Sequence, residues 1–109
     1  KLSVDIVNRN EIGSLVPPEG KLYVDADKVQ FPLEARVWQL SDRFTPLGMR
    51  GSKKVSDFLI DEKVPLLQKQ HVLVLESAGE IVWVVGHRIS QLFAVTDKTK
   101  TVGKFSLER

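Results

Sequence analysis

The sequence predicts an α+β fold: a mainly antiparallel, sandwich-like β-sheet system with a helix-turn-helix insert around residues 52–70. Three observations carry this reading. The runs Leu2 to Ile6 and Phe31 to Gln39 alternate apolar and polar residues, the period of a half-buried strand. The stretch from Ser52 to Gln70 switches to helical spacing. Two unbroken apolar runs, Val72 to Leu75 and Ile81 to Val85, flank a short loop that contains Gly79. The length of 109 residues suits one compact domain, and 42% hydrophobic with 28% charged residues is the balance of a globular chain rather than a disordered one.

Taken in order, Leu2-Ser3-Val4-Asp5-Ile6 alternates and reads as a strand. Glu11 to Gly20 breaks the pattern, with Pro17-Pro18 and Gly20 marking a loop. Leu22-Tyr23-Val24 is a short strand, and Asp25 to Lys28 a polar turn. From Phe31 to Gln39 the alternation is clearest: Phe31, Leu33, Ala35 and Val37 share one face, and Glu34 and Arg36 the other. Pro32 lacks an amide donor, which places it at the start of that strand or at a sheet edge.

Ser41 to Gly51 is a loop carrying Pro46, Gly48 and Gly51. Ser52 is the expected N-cap of a helix whose apolar stripe is Val55, Phe58 and Leu59. Pro65 disfavours helical geometry at Val64, so this helix should stop near Lys63, and a second short one should run from Pro65 to about Gln70. The two apolar runs then form a hairpin covered on both faces, the expected centre of the core. Gly86 ends its second strand, Arg88 to Gln91 is expected to be a helical turn, Phe93-Ala94-Val95 to resume as strand, and Val102 to Leu107 to add a last edge strand.

Composition excludes several classes of function. The absence of cysteine removes disulfides, thiolate metal sites and cysteine nucleophiles, and fits a reducing compartment. No apolar run approaches the ~20 residues of a membrane helix, and the first residues carry no signal-peptide pattern, so a cytoplasmic location is expected. The chain opens at Lys1 and its one methionine is Met49, which suggests a piece of a longer protein. His71 and His87 have no third ligand at metal spacing, and no serine sits in a nucleophile elbow. Asp57, Asp61 and Glu62 read as a solubilising helix face rather than paired catalytic carboxylates.

Charge is more informative by place than by sum. Between Ala35 and Lys54 stand Arg36, Arg43, Arg50, Lys53 and Lys54 against Asp42 alone, a local balance of +4 in a chain whose total is +2. Cations are mildly unfavourable at a helix start, by ~0.3–1 kcal/mol each. Their crowding there makes sense if an anion arrives. The alternative is a solvated basic surface partly neutralised by Asp57 and Asp61. Gly48 to Lys53 lacks the spacing of a P-loop, so a nucleic-acid backbone is the more natural anion than a nucleoside triphosphate. Trp38, on the Arg36 face, would either stack on a base or pack beneath a neighbouring helix, and the second is the commoner outcome.

The segments Asp42-Arg43-Phe44-x-Pro46-Leu47-Gly48-Met49 and Lys53-Lys54-Val55-Ser56-Asp57-Phe58-Leu59-Ile60-Asp61-x-Lys63-Val64-Pro65, followed by Ile81-Val82-Trp83-Val84-Val85-Gly86-x-Arg88-Ile89, resemble the C-terminal domain of bacterial tRNA(Ile)-lysidine synthetases. The likeness covers roughly Leu22 to Thr96. It implies residues 1–21 as an approach segment with the first strand, and 22–109 as a tRNA-binding C-terminal domain similar in fold to a domain of phenylalanyl-tRNA synthetase. It also implies a parent ligase that uses ATP to attach lysine to the wobble cytidine of tRNA(Ile), with the ATP site in an N-terminal catalytic domain outside these residues. This piece would then be inactive alone, hold no cofactor, and grip the tRNA acceptor stem. The implied RNA contacts are Arg43, Arg50, Lys53, Lys54 and Arg88, with Arg36 added by the charge pattern. The family pattern is broken at Ser41, where glycine is usual, and at Ser90 to Leu92, where an acid and an arginine are usual. The competing reading is a structural or dimerisation domain that packs on the catalytic part or on a second copy, through an apolar patch near Trp38.

Overall fold

The computed structural model describes residues 2–14, 16–18 and 21–107. The expectation that Gly20 punctuates the first loop lies outside the described residues. The chain forms two compact units, one from residues 1–29 and 93–109, the other from residues 30–92.

In the first unit a three-stranded antiparallel sheet has the order β1 (Leu2–Asn8), β9 (Thr101–Leu107), β2 (Leu22–Asp25). Asp5 and Tyr23 both stand opposite Lys104, one from each side. The strand expected at the sheet edge, β9, is therefore central. Val102 and Phe105 point to opposite faces and both are fully buried, so the strand is covered on both sides at these positions. Phe105 lies over Gly103, and a Cβ at Gly103 would come within 2.7 Å of its ring. Ala26–Lys28 forms the expected polar turn, as one turn of 3-10 helix started by the Asp25 carboxylate, which accepts from the Asp27 amide at 3.0 Å. The Asp27 carboxylate in turn accepts from the Thr101 hydroxyl at 2.6 Å and the Lys100 amide at 2.8 Å, tying the turn to the start of β9. Those two bonds, the hydroxyl's first, hold its pKa below the ordinary carboxylate value.

The second unit contains a four-stranded antiparallel sheet of order β3 (Leu33–Val37), β6 (Leu73–Ser77), β7 (Glu80–Val84), β8 (Arg88–Ile89). A two-stranded ribbon, β4 (Arg43–Phe44) and β5 (Lys53–Lys54), leads into helix α1 (Val55–Asp61) and then α2 (Leu66–Lys69). The β6–β7 hairpin is the expected one. Its loop is Ala78-Gly79, both at positive φ, the geometry whose twist matches the flanking strands. The register slips between Leu75 and Glu76, leaving Val82 as an extra residue on β7. The slip reverses the alternation, so Ile81 and Val84 both join the core with Phe44, Val55, Phe58, Leu59, Val72 and Val74. The predicted stripe of Val55, Phe58 and Leu59 is fully buried there.

Helix α1 ends in a Schellman motif in which the Val64 amide donates to the Leu59 carbonyl and the Lys63 amide to that of Ile60. Lys63 occupies the left-handed position, φ 58°, that glycine usually fills. Pro65 then opens α2 as its N-cap residue.

Three local expectations are corrected. Residues 88–89 form a strand rather than a helical turn, because Gly86 at φ 83° turns the chain back along β7. Phe93 is buried on a single 3-10 turn, Gln91–Phe93, not on a resumed strand. The N-cap of α1 is Lys54, not Ser52, whose hydroxyl is engaged by Arg43 instead.

On the edge strand β3, with Pro32 just before it, neither face is buried as a whole: Glu34 and Ala35 are exposed, and Leu33 and Arg36 half-buried. Arg36 stands opposite the fully buried Val74, while Phe31 and Val37 remain exposed. Trp38 follows Arg36 inward, packs against the core and donates its indole N–H to the Lys69 carbonyl at 2.7 Å. The packed reading of this tryptophan therefore holds over the base-stacking one.

Candidate functional site

All six basic residues singled out by sequence lie in the second unit, and the structure sorts them into three settings. Arg36 is committed to carboxylates. Its Nη1 and Nη2 reach both oxygens of Asp42 at 2.8 and 2.9 Å, and its Nε and Nη2 reach Glu76 at 2.9 and 2.7 Å. The Asp42 carboxyl is held below the ordinary carboxylate value, chiefly by these hydrogen bonds from Arg36, and Asp42 in return raises the Arg36 pKa further. The Asp42 side chain is 9% exposed, so this network is fixed rather than a fluctuating surface pair.

Asp42 also organises the backbone. Its carboxylate accepts from the Gln39 amide at 2.7 Å, and its carbonyl accepts from the Val55 amide at 3.0 Å. The first amide of α1 is thus already paired. Of the N–H groups that the helix start is expected to offer to an anion, this one is taken up by Asp42.

Arg43 and Lys54 are placed by the ribbon. The hydrophobic residue Phe44 is buried edge-on against Phe58, with ring centres 5.1 Å apart, which pins β4. Strand alternation then turns Arg43 outward, where it is the direct cross-strand partner of Lys54. Two like charges opposite each other in an antiparallel pair destabilise it. Both are exposed, and neither forms an ion pair with a described residue. Arg43 is oriented by Ser52, whose hydroxyl accepts from Nε at 3.0 Å.

Arg50 sits on the loop that joins the two ribbon strands, exposed and likewise without an ion pair among the described residues. The loop itself is anchored. Pro46 bridges to Ser90, the Met49 amide donates to the Pro46 carbonyl at 2.9 Å, and Gly48 takes φ 90°, the glycine position of a type II turn. The Gly48 amide donates to the Gln91 side chain at 2.8 Å. Gln91 therefore supports the loop.

Lys53 and Arg88 bracket the end of α1 and pair with its carboxylates, Lys53 with Asp61 and Arg88 with Glu62 at 3.6 Å. Asp61 is 58% exposed and Glu62 about a third, so each pair contributes at most about 1 kcal/mol. A phosphate could displace either carboxylate at little cost. Arg88 also lies over the Phe58 ring, 5.3 Å from its centre, which fixes its stem.

Sequence reasoning names the cations and their neighbourhood. It misses the supports, Ser52 and Gln91, and the direct opposition of Arg43 and Lys54. The clue to the last is present in sequence, since Phe44 must be buried and its neighbour must then face out, but the pairing register is not.

Comparison with known proteins gives a consistent result. The family model of the TilS substrate C-terminal domain matches residues 33–107. The tRNA(Ile)-lysidine synthase of Parabacteroides distasonis is 44% identical over 80 residues, 73% of this chain and 18% of the relative. That of Caldanaerobacter subterraneus subsp. tengcongensis is 35% identical over 102 residues, 94% of this chain and 22% of the relative. The chain thus spans about a fifth of the length of the curated relatives it matches.

Among solved structures, a TilS C-terminal domain superposes with a TM-score of 0.74 at 23% identity, over 96% of this chain and 82% of that one. An N-terminal fragment of the phenylalanyl-tRNA synthetase β-subunit from Pyrococcus horikoshii follows, with a TM-score of 0.66 at 20% identity over 78% of this chain and 27% of that one. These bear out the predicted fold class and both expected fold relatives. The chain belongs to the TilS substrate C-terminal domain family.

Proposed function

We propose that this chain is the tRNA-holding module of a tRNA(Ile)-lysidine synthase and that it grips the acceptor stem through the β4–β5 ribbon. The observation that carries the reading is the direct opposition of Arg43 and Lys54, with Arg50 on the loop between them. A ribbon that sets two cations side by side with no counter-charge among the described residues is weaker than it need be, and a phosphate between them removes the repulsion. Lys53 and Arg88 exchange their exposed carboxylates for phosphates as the strand docks. Arg36 acts as a positioning residue, holding Asp42 and hence the start of α1. The contacts are to the backbone, so they set register and orientation, and the shape of the duplex decides which RNA fits. The ATP-dependent attachment of lysine to the wobble cytidine belongs to the catalytic part outside this chain, acting in the cytoplasm.

The test is a fluorescence-anisotropy titration with an acceptor-stem minihelix across ionic strengths. Neutralisation of about four phosphates gives a slope of log affinity against log salt of about −3 to −4. Replacing Arg43 and Lys54 with alanine should reduce that slope by about two. A flat salt response, or an unchanged slope in the double variant, defeats the reading.

A second reading, packing against the catalytic part, is favoured by one observation. Ile60, Leu66 and Leu67, on and just after α1, are 60, 71 and 78% exposed. Val37 and Leu40, which flank Trp38, are exposed as well, at 47 and 79%, so apolar surface also lies near Trp38 as expected.

A further inference from the structure

The first unit carries a concavity of about 220 Å³, lined by Ser3, Val4, Asp5, Pro18, Lys21, Tyr23, Lys104 and Ser106. Its floor follows from strand register. Asp5, Lys104 and Tyr23 form one row across the three strands, and Ser3 stands opposite Ser106 in the next row on the same face. That face is closed at its other end by the fully buried Val102 and the buried Asp25.

Although Asp5 and Lys104 are direct cross-strand neighbours of opposite charge, they form no ion pair, and neither Lys104 nor Lys21 pairs with any described residue. Two ammonium groups, a phenol ring, two hydroxyls and a carboxylate therefore converge here, their charges unpaired among the described residues. No step in the acceptor-stem reading draws on them.

The combination selects a ligand. A simple anion would leave the Tyr23 ring without a role and would be opposed by Asp5. A nucleotide answers each group. The lysines meet its phosphates, the ring offers a stacking face, and the serine hydroxyls match the ribose. Asp5 accepts from an exocyclic amino group such as that of cytosine. The concavity is smaller than ordinary ligand pockets of roughly 300 Å³ and above, which suits one nucleotide rather than a duplex. We propose that this concavity holds one unpaired, amino-bearing nucleotide of an RNA strand. The proposal takes from the preceding subsection only that the partner is RNA; the residues and the unit are different.

The experiment is an amide-resonance titration of the 109-residue chain with a cytidine pentamer, a uridine pentamer, a blunt-ended RNA hairpin and inorganic phosphate. The cytidine pentamer should shift Tyr23, Lys104 and Ser106 and bind more tightly than the uridine pentamer. Tyr23→Ala should weaken it about five-fold or more, with Tyr23→Phe near wild type. Lys21→Ala and Lys104→Ala should each weaken it, and Asp5→Asn should abolish the preference for cytidine. Blunt-hairpin affinity should be unaffected by these changes and lost instead in Arg43→Ala/Lys54→Ala, so each site can fail alone. The proposal is overturned if the pentamers leave these resonances unmoved, or if inorganic phosphate reproduces the shifts and abolishes pentamer binding. It is equally overturned if Lys21→Ala and Lys104→Ala bind the cytidine pentamer as tightly as wild type, a comparison that does not depend on the fold tolerating Tyr23→Ala.

Discussion

Arg43 and Lys54 face each other across the β4–β5 ribbon as a like-charged pair, and no carboxylate among the described residues pairs with either. The arrangement sets stability against binding. Lys54→Glu turns the pair into an attractive one and should raise stability by about 0.2–1 kcal/mol in urea denaturation. The same variant should lower minihelix affinity. Parallel changes, with stability and affinity falling together, would mean that Lys54 is a structural residue.

Asp42 links β3 to α1 through Arg36, Gln39 and Val55. Asp42→Ala removes a charge-assisted, largely buried partner and should cost about 2 kcal/mol, read as a lower urea midpoint at unchanged slope. The pH dependence has a definite sign. Because the folded-state pKa is depressed, the stabilisation from Asp42 is complete above the ordinary carboxylate value near ~4 and fades as pH falls through the lower folded-state value. Asp42→Asn should therefore flatten the acid limb of a stability–pH curve. Asp27, lowered by Thr101 and Lys100, should leave a residual acid dependence of the same sign.

Lys63 closes α1 from the left-handed region. Lys63→Gly removes the clash of its Cβ with the backbone, offset in part by greater freedom of the unfolded chain, and should gain about 0.5–1 kcal/mol. Thermal denaturation should show a rise of a few degrees.

Gly103 lies beneath the Phe105 ring at the centre of its sheet. Gly103→Ala would place a methyl group 2.7 Å from Phe105 and 3.1 Å from Val24, both fully buried. The ring must shift within a fully buried site, so the substitution should cost about 1–3 kcal/mol. Calorimetry of this variant, beside one in the second unit such as Lys63→Gly, reports whether the two units melt as one transition.

Local chemistry is readable from the chain alone. The stripe of Val55, Phe58 and Leu59, the breaks at Gly86 and Pro65, and the hairpin around Gly79 each follow from rules that act within a few residues. The basic cluster from Arg36 to Lys54 and the family likeness are legible in the same way. What depends on partners far along the chain is not. Whether Arg36 or Val37 turns inward is decided by Glu76 and Val74, and whether the last strand is central or at an edge by two strands from the other end of the chain. Alternation gives two faces without saying which finds a partner. Likewise, composition places five cations in one stretch, but only the register of two short strands sets Arg43 against Lys54 while Asp42 immobilises Arg36. Charge is a property of residues, whereas its neutralisation depends on distance, and distances are set only when the chain has folded.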